Sequence, residues 1–383
     1  MSFDRIANSR FGIKLLTILG LWSAARNNST FFGRYYRYYQ FVLNTTMTFT
    51  FTLLLWMEII LSGDVDYVFQ WMRLAITETC LIVKVLNIWY HAQTANELLQ
   101  EWDKSDMFAL KTLEEQKMWQ GAQRYFRKVV AVYSLLSICS VFMALFSVFF
   151  MDTLALPIPY WMPASWRGSN AWPLFLYEDI VVPFSCLCNT QIEFFLCYLM
   201  FHLTLCLRMI GTRMERLGDQ VNDVEITTEL ENIIKIHQRI EGMAKSCQKI
   251  IMWPVLAQII FSSLIICCSI YSIQRISFSE NPSNFLGFIQ YVVAMALEIF
   301  LPCYYANEIT VESENLSNHL YNCDWTVMSL YNRRQIFLYM EHLKQPITLY
   351  AGNYFQIGLP VFSKTMNNAY SLLALLANVN EEE

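Results

Sequence analysis

The sequence predicts an all-α membrane protein with seven spanning helices. Three observations lead there. The 383-residue chain is 55% hydrophobic but only 15% charged, where soluble domains carry about 25% charged residues, and its mean hydropathy is +0.31. Its apolar residues gather into segments of about 20 or more, the length a helix needs to cross a bilayer. Its basic residues fall almost entirely into alternate connections between those segments, which is how orientation in a membrane is encoded.

The elements follow in order. Residues 1–37 are expected as a cytoplasmic N-terminal segment. Residues 1–10 are polar and 11–22 form a short amphipathic stretch broken by Lys14, which is not the form of a cleavable signal peptide. That stretch can lie along the membrane face or pack as an ordinary helix. Spans are expected at about 38–61, 68–90, 129–151, 178–207, 251–273, 285–309 and 354–376.

Lys and Arg number six in the N-terminal segment, six between spans two and three, seven between four and five, and three between six and seven. The opposite side holds only Arg167 and Arg275, while Arg73, Lys84 and Lys364 lie inside spans. A division of 22 against 2 predicts a cytoplasmic N-terminus and an extracellular C-terminus. G-protein-coupled receptors have the opposite orientation, so that class is set aside.

The connections differ in character. Residues 97–127 and 215–249 contain no proline and carry heptad-like apolar positions (Leu98, Trp102, Leu230, Ile233, Ile234) among mixed charges, which predicts helices continuing the spans into the cytoplasm. Residues 152–175 hold four prolines with Trp161, Trp166 and Trp172, which predicts a rigid aromatic cap outside. Most of the eleven cysteines sit in apolar stretches and read as packing residues, with Cys186 and Cys188 the one pair to watch. The sequons at Asn27, Asn28, Asn44 and Asn315 fall inside or within spans and are expected to stay unglycosylated. Nothing in the charge pattern suggests nucleic-acid binding, and no residue pattern calls for a cofactor or a metal.

Three sets of residues could carry chemistry. His319 and Asp324 have the His-x4-Asp spacing of glycerolipid acyltransferases, where His acts as base and Asp orients it. Without a downstream phosphate-binding motif the pair is a weak sign of a membrane-bound enzyme. Arg73, Glu78, Lys84, Glu193, His202, Glu298 and Lys364 are ionisable groups within spans, which either line a polar path or pair between helices, as Lys84 with a carboxylate. Apolar residues crowd the outer halves of four spans: Met72 and Ile76; Phe142, Met143, Phe146, Phe149 and Phe150; Phe184 and Cys188; Tyr291 and Met295. Together they either form a pocket for a small volatile organic ligand or pack as plain helix contacts. Residues 38–309 would hold that pocket.

The C-terminal segment carries a family signature. Tyr321-Asn322-Cys323-Asp324-Trp325 is followed by Gln345-Pro346, Ala351-Gly352, Phe362 and the run Ala369-Tyr370-Ser371-Leu372-Leu373-Ala374-Leu375-Leu376. This resembles the C-terminus of insect odorant receptors, with its Tyr-x-x-x-Trp helix, Gln-x-Pro turn and final helix containing Tyr-Ser. The resemblance implies a subunit of a ligand-gated, non-selective cation channel, not an enzyme, with four subunits around one pore for permeant cations. It implies a tuning subunit that binds odorant and assembles with a co-receptor among membrane lipid, in the plasma membrane of a sensory-neuron dendrite. It makes 310–383 a cytoplasmic anchor helix, with Tyr321, Trp325, Gln345 and Pro346 at the anchor, followed by a pore-lining helix. Ser371, Leu375 and Asn378 share one face of that helix by spacing. The resemblance puts Leu375 at the hydrophobic constriction and Asn378 just outside it; packing against a neighbouring helix is the other use of such a face. Gustatory receptors carry Thr-Tyr, five apolar residues, then Gln; here the run is Ser371-Leu372, five apolar residues, then Asn378, which favours the odorant type. The connection 208–249 is too short for the long insertion of the co-receptor.

Overall fold

The computed structural model describes residues 5–22, 31–146, 158–163, 172–218, 222–275 and 282–381; side chains of 143–146 and 375–381, among others in the helices, are outside that description. The fold is all-α. Helices α1 (Ala7–Ile18), α2 (Phe31–Asn44) and α3 (Thr50–Ser62) are followed by α4 (Val65–Lys104), α5 (Leu113–Phe146), α6 (Trp172–Glu215), α7 (Asp223–Arg275) and α8 (Pro282–Tyr321). The short α9 (Leu330–His342), a hairpin of β1 (Tyr350–Ala351) and β2 (Phe355–Gln356), and α10 (Leu359–Glu381) complete the chain.

Among the described residues, five stretches are long and apolar enough to cross a membrane: Tyr35–Ser62, Leu113–Phe142, Pro173–Glu215, Asp223–Gln274 and Phe285–Tyr321. The first joins α2 to α3 through a π-helical turn at Thr45–Phe49. Helices α4 and α10 match the other two expected spans, although α4 carries Arg73, Glu78 and Lys84. The expected segments coincide with these helices except at two ends. Residues 147–151 lie outside the described residues. The seventh helix starts at Leu359 and not at 354, because Tyr354 stands in the hairpin turn and Pro360 fits only the first turn of the helix that follows.

At 40 residues, α4 is about 60 Å long, twice the thickness of a bilayer's hydrocarbon core. The surplus of α4 packs along the start of α7. Leu98, Trp102, Leu230 and Ile233 are buried there, as the heptad-like pattern predicts. Charge pairs flank this seam and join the neighbouring helices at the same end. Arg239 binds Glu101, with Nη2 2.6 Å from Oε2, and Lys111 binds Glu229 at 3.0 Å. Arg213 meets Glu115 at 3.0 Å with both side chains buried, and Arg208 spans Glu308 and Glu312 at 2.6 and 2.7 Å. At the start of α7, Asp223 accepts from the Ser329 N–H and the Asn332 amide. Hydrogen bonding from Ser329 holds its carboxyl below the usual carboxylate range.

The N-terminal stretch packs as a helix. Leu16, Leu21 and Trp22 are buried while Phe11 and Ile18 stay exposed. Arg5 fastens it by donating to the carbonyls of Asp103 and Ser105 at 2.5 and 2.8 Å.

Two prolines inside membrane helices are compensated from neighbouring helices. A proline lacks the N–H that would bond the carbonyl four residues back, and an orphan carbonyl is costly where no water reaches it. Pro254 in α7 leaves the carbonyl of Ile250, and the Asn87 amide of α4 donates to it at 2.7 Å. Pro302 in α8 leaves the carbonyl of Glu298, and the Gln258 amide of α7 donates to it at 2.6 Å.

Candidate functional site

Helices α4, α6 and α8 begin, and α5 ends, at the same end of the bundle, where they enclose a cavity of about 280 Å³. Helix α4 lines it with Gln70, Trp71, Arg73, Leu74, Thr77, Glu78 and Leu81, single residues or adjacent pairs that recur every three or four positions along one broad face. Helix α6 adds Ser185, Cys186 and Asn189, α5 adds Tyr133 and Ser137, and α8 adds Phe288, Tyr291, Met295 and Glu298. Ile158, from the connection before α6, also reaches the cavity; its N–H donates to Glu178 at 2.8 Å. Of the expected cap, residues 152–157 and 164–171 lie outside the described residues.

Several polar groups here have definite partners among the described residues. The Arg73 guanidinium lies 4.3 Å from the Phe288 ring centre and 4.6 Å from that of Tyr291, and its Nε donates to the Gln70 carbonyl at 3.0 Å. Desolvated contacts of a cation with aromatic faces contribute about 2 kcal/mol. The Tyr291 hydroxyl is 2.6 Å from that of Thr77. Glu78 and Ser185 are buried, yet Glu78 Oε2 and Ser185 Oγ have no hydrogen-bond partner among the described residues. At the floor, Lys84 donates to Glu193 at 2.9 Å, to Glu298 at 2.5 Å and to Asn189 at 3.0 Å. The expected pairing of Lys84 with a carboxylate is therefore doubled, and it ties α4, α6 and α8 together.

Of the residues expected to bind ligand, Tyr291 and Met295 line the cavity. Met72, Ile76, Phe184 and Cys188 do not. Each sits next in sequence to a cavity-lining residue or one beyond it, and a step of one residue turns the side chain about 100° around the helix. Ile76 and Cys188 are buried in helix packing, and Met72 and Phe184 pack against the same core. Phe142 is exposed; Met143, Phe146, Phe149 and Phe150 lie outside the described side chains. The sequence singles out Arg73 and Glu78 as ionisable groups within a span, but the ligand pocket is expected from apolar residues, so these two and Thr77 are not expected as its face. The signal was present in the spacing of polar residues within a span.

The remaining candidates lie elsewhere. His202 is buried against Trp102 and Trp119, with ring centres 4.1 and 5.1 Å away. His319 Nδ1 is 2.7 Å from Glu215 Oε1, whereas the Asp324 N–H donates to the Leu217 carbonyl. The base that acyl transfer would need is thus engaged by a different carboxylate. Tyr321 and Trp325 stand 6.5 Å apart at the end of α8. Gln345 is exposed, and after Pro346 the Ile347 N–H donates to Ser313 at 2.9 Å. The following hairpin is clamped by Gln248, which bonds both the N–H and the carbonyl of Tyr350. Gly352 has φ of +58°, and a Cβ there would lie 2.4 Å from Leu256. The positive φ is what favours glycine in this turn.

On α10, Thr365, Ala369 and Leu373 are buried while Ser363, Lys364, Asn367, Asn368, Tyr370 and Ser371 are exposed. Ser371 Oγ donates to the Asn367 carbonyl at 3.0 Å. The side chains of Leu375 and Asn378 lie outside the described residues.

Comparison with known proteins agrees with this architecture. Residues 64–370 match a family model described as 7tm Odorant receptor. Odorant receptor 94a of Drosophila melanogaster is 37% identical over 381 residues, 98% of each chain. Odorant receptor 46a, isoform A, of the same species is 27% identical over 302 residues, 78% of each. Among solved structures, the olfactory receptor OR5 of Machilis hrabei in complex with eugenol matches with a TM-score of 0.84 at 18% identity, covering 98% of this chain and 100% of that one. That likeness speaks to the fold, whereas the family match spans most of the sequence, so this chain belongs to the odorant receptor family.

Proposed function

We propose that the chain is the odorant-binding subunit of a ligand-gated, non-selective cation channel, assembling with a co-receptor as a heterotetramer. The observation that carries this is the exposed polar stripe on α10. A membrane helix does not readily turn a polar row such as Ser363, Asn367 and Ser371 toward lipid, because polar side chains are costly there. Such a face belongs against water or another subunit. Leu375 continues it by one turn and serves as the constriction, which a ring of leucines closes by dewetting. The charged helix extensions and the segment with Tyr321, Trp325, Gln345 and Pro346 act as the subunit anchor.

The ligand is a small volatile that enters the cavity between α4, α5, α6 and α8. Arg73, Thr77, Glu78, Ser185 and Tyr291 would meet its polar end, with Leu74, Leu81 and Met295 against its apolar part. The cavity size and its few convergent polar groups fit that role. The basic residues orient the chain with its N-terminus in the cytoplasm and its C-terminus outside, in the plasma membrane of a sensory dendrite.

The test is electrical. Cells expressing this chain with a co-receptor should pass cation current when a panel of volatiles is applied, and cells lacking either chain should not. Identical responses from the co-receptor alone would overturn the assignment. An epitope added after Glu383 should be labelled on intact cells; labelling only after permeabilisation would reverse the orientation.

A further inference from the structure

His237, Glu241 and His342 meet outside the cavity, where α7 contacts the end of α9. Glu241 follows His237 by one helical turn, so both leave the same face of α7. His342 is the last residue of α9, and its Nε2 lies 3.0 Å from Glu241 Oε1. His237 Nδ1 is 3.9 Å from the same oxygen, too far for a hydrogen bond. One donor atom from each of the three lies within 4.8 Å of the others. His237 is only 2% exposed, and neither of its ring nitrogens has a partner among the described residues. The rings of Tyr339 and His342 stand edge-on to it at 5.8 and 5.9 Å, so the imidazole is held among its neighbours without a hydrogen bond.

A buried imidazole with two unused nitrogens lacks a partner, and the geometry supplies room for one. Donors around a tetrahedral zinc ion stand roughly 3.3 Å apart, given bonds of about 2.0–2.1 Å. The separations here, 3.0 and 3.9 Å, bracket that spacing. Two histidines and one glutamate form a zinc donor set with a fourth position open. Calcium would need about six to eight oxygen ligands, and one carboxylate does not provide them. We propose that His237, Glu241 and His342 bind a divalent transition-metal ion, zinc by donor preference, which pins α9 to α7. Because α9 leads through Gln345-Pro346 and the hairpin into α10, the bound ion fixes the segment from which the last helix starts.

The experiment uses the full-length chain purified in detergent, stripped with a chelator and dialysed against zinc. Metal per chain is measured by elemental analysis, and affinity by competition with a chromophoric chelator. The expected result is about one zinc per chain. Affinity should fall at least about tenfold, the effect of losing even an outer partner of a metal ligand, in His342→Ala and in His237→Gln. His342 is exposed, so its variant keeps the fold. His319→Ala, which removes an unrelated His–Glu pair, should bind as the wild type does. Wild-type protein that retains no zinc, or a His342→Ala variant that binds equally well, overturns the site.

Discussion

Lys84 donates to Glu298 across 2.5 Å at the floor of the cavity, with the two side chains 0% and 5% exposed. The same ammonium also serves Glu193, so one cation holds two carboxylates on two other helices. Removing it leaves both carboxylates buried without a counter-charge. Breaking a buried pair in this way costs about 3–5 kcal/mol. Lys84→Met should therefore lower the thermal midpoint of the purified protein and its amount at the cell surface. Adding Glu193→Gln and Glu298→Gln to that variant should recover part of the loss. Wild-type stability in the single variant would show that the cluster contributes nothing.

The amide of Gln258 and the ring of Pro302 act on one carbonyl, that of Glu298. Gln258→Met leaves the carbonyl buried and unpaired, at a cost of about 1–3 kcal/mol. Pro302→Ala restores the N–H inside α8. In that background Gln258→Met should cost measurably less. A double-mutant cycle on thermal or denaturant unfolding reads the difference, and strictly additive losses would mean that the amide does not compensate the proline.

The cavity makes a sharper prediction about residues one step apart on a helix. Tyr291→Phe removes a hydroxyl that meets Thr77 at 2.6 Å, a bond of about 1 kcal/mol. Where the ligand shares that bond, the concentration for half-maximal current should rise roughly fivefold, since about 1.4 kcal/mol is tenfold. Met72→Ala, on the neighbouring face, should shift it less than Tyr291→Phe does. Dose–response curves for any activating volatile decide this, and the reverse order would move the binding face to Met72.

How much of this was legible in the sequence depends on whether the signal is local. Spans follow from apolar length, and even α4 is legible because three charges among the sixteen apolar residues of 68–90 do not erase the pattern. The α4–α7 seam followed from Leu98, Trp102, Leu230 and Ile233 for the same reason. The rotation of each helix about its axis did not follow, because it is fixed by neighbours distant in sequence. That is why Ile76 was expected in the cavity and Thr77 is there. The partners of the two prolines, 163 and 40 residues from the carbonyls they cap, were equally out of reach. The hairpin before α10 left a local trace, a Gly352-Asn353 turn with both residues at positive φ, which is a recognised hairpin signal. Taken only as part of a signature, it leaves the start of α10 placed too early, at 354 instead of Leu359.

The last prediction concerns α10 itself. In a single chain its buried stripe runs through Thr365, Ala369 and Leu373, which packs with Cys267 and Tyr271 of α7. Residues at 363, 367 and 371 repeat every fourth position on the other side, and 375 is next. If that side lines a pore, a leucine at 375 is the first large apolar group after a polar run, and its truncation widens the narrowest point. Leu375→Ala should then raise current in the absence of ligand, or lower the concentration of volatile needed to open the channel. Leu373→Ala acts on the packed stripe and should instead lower stability, by about 2–5 kcal/mol as for other buried leucines, without a comparable rise in basal current. Recording both variants with the co-receptor separates the two faces. Unchanged basal and evoked currents in Leu375→Ala would remove that residue from the gate.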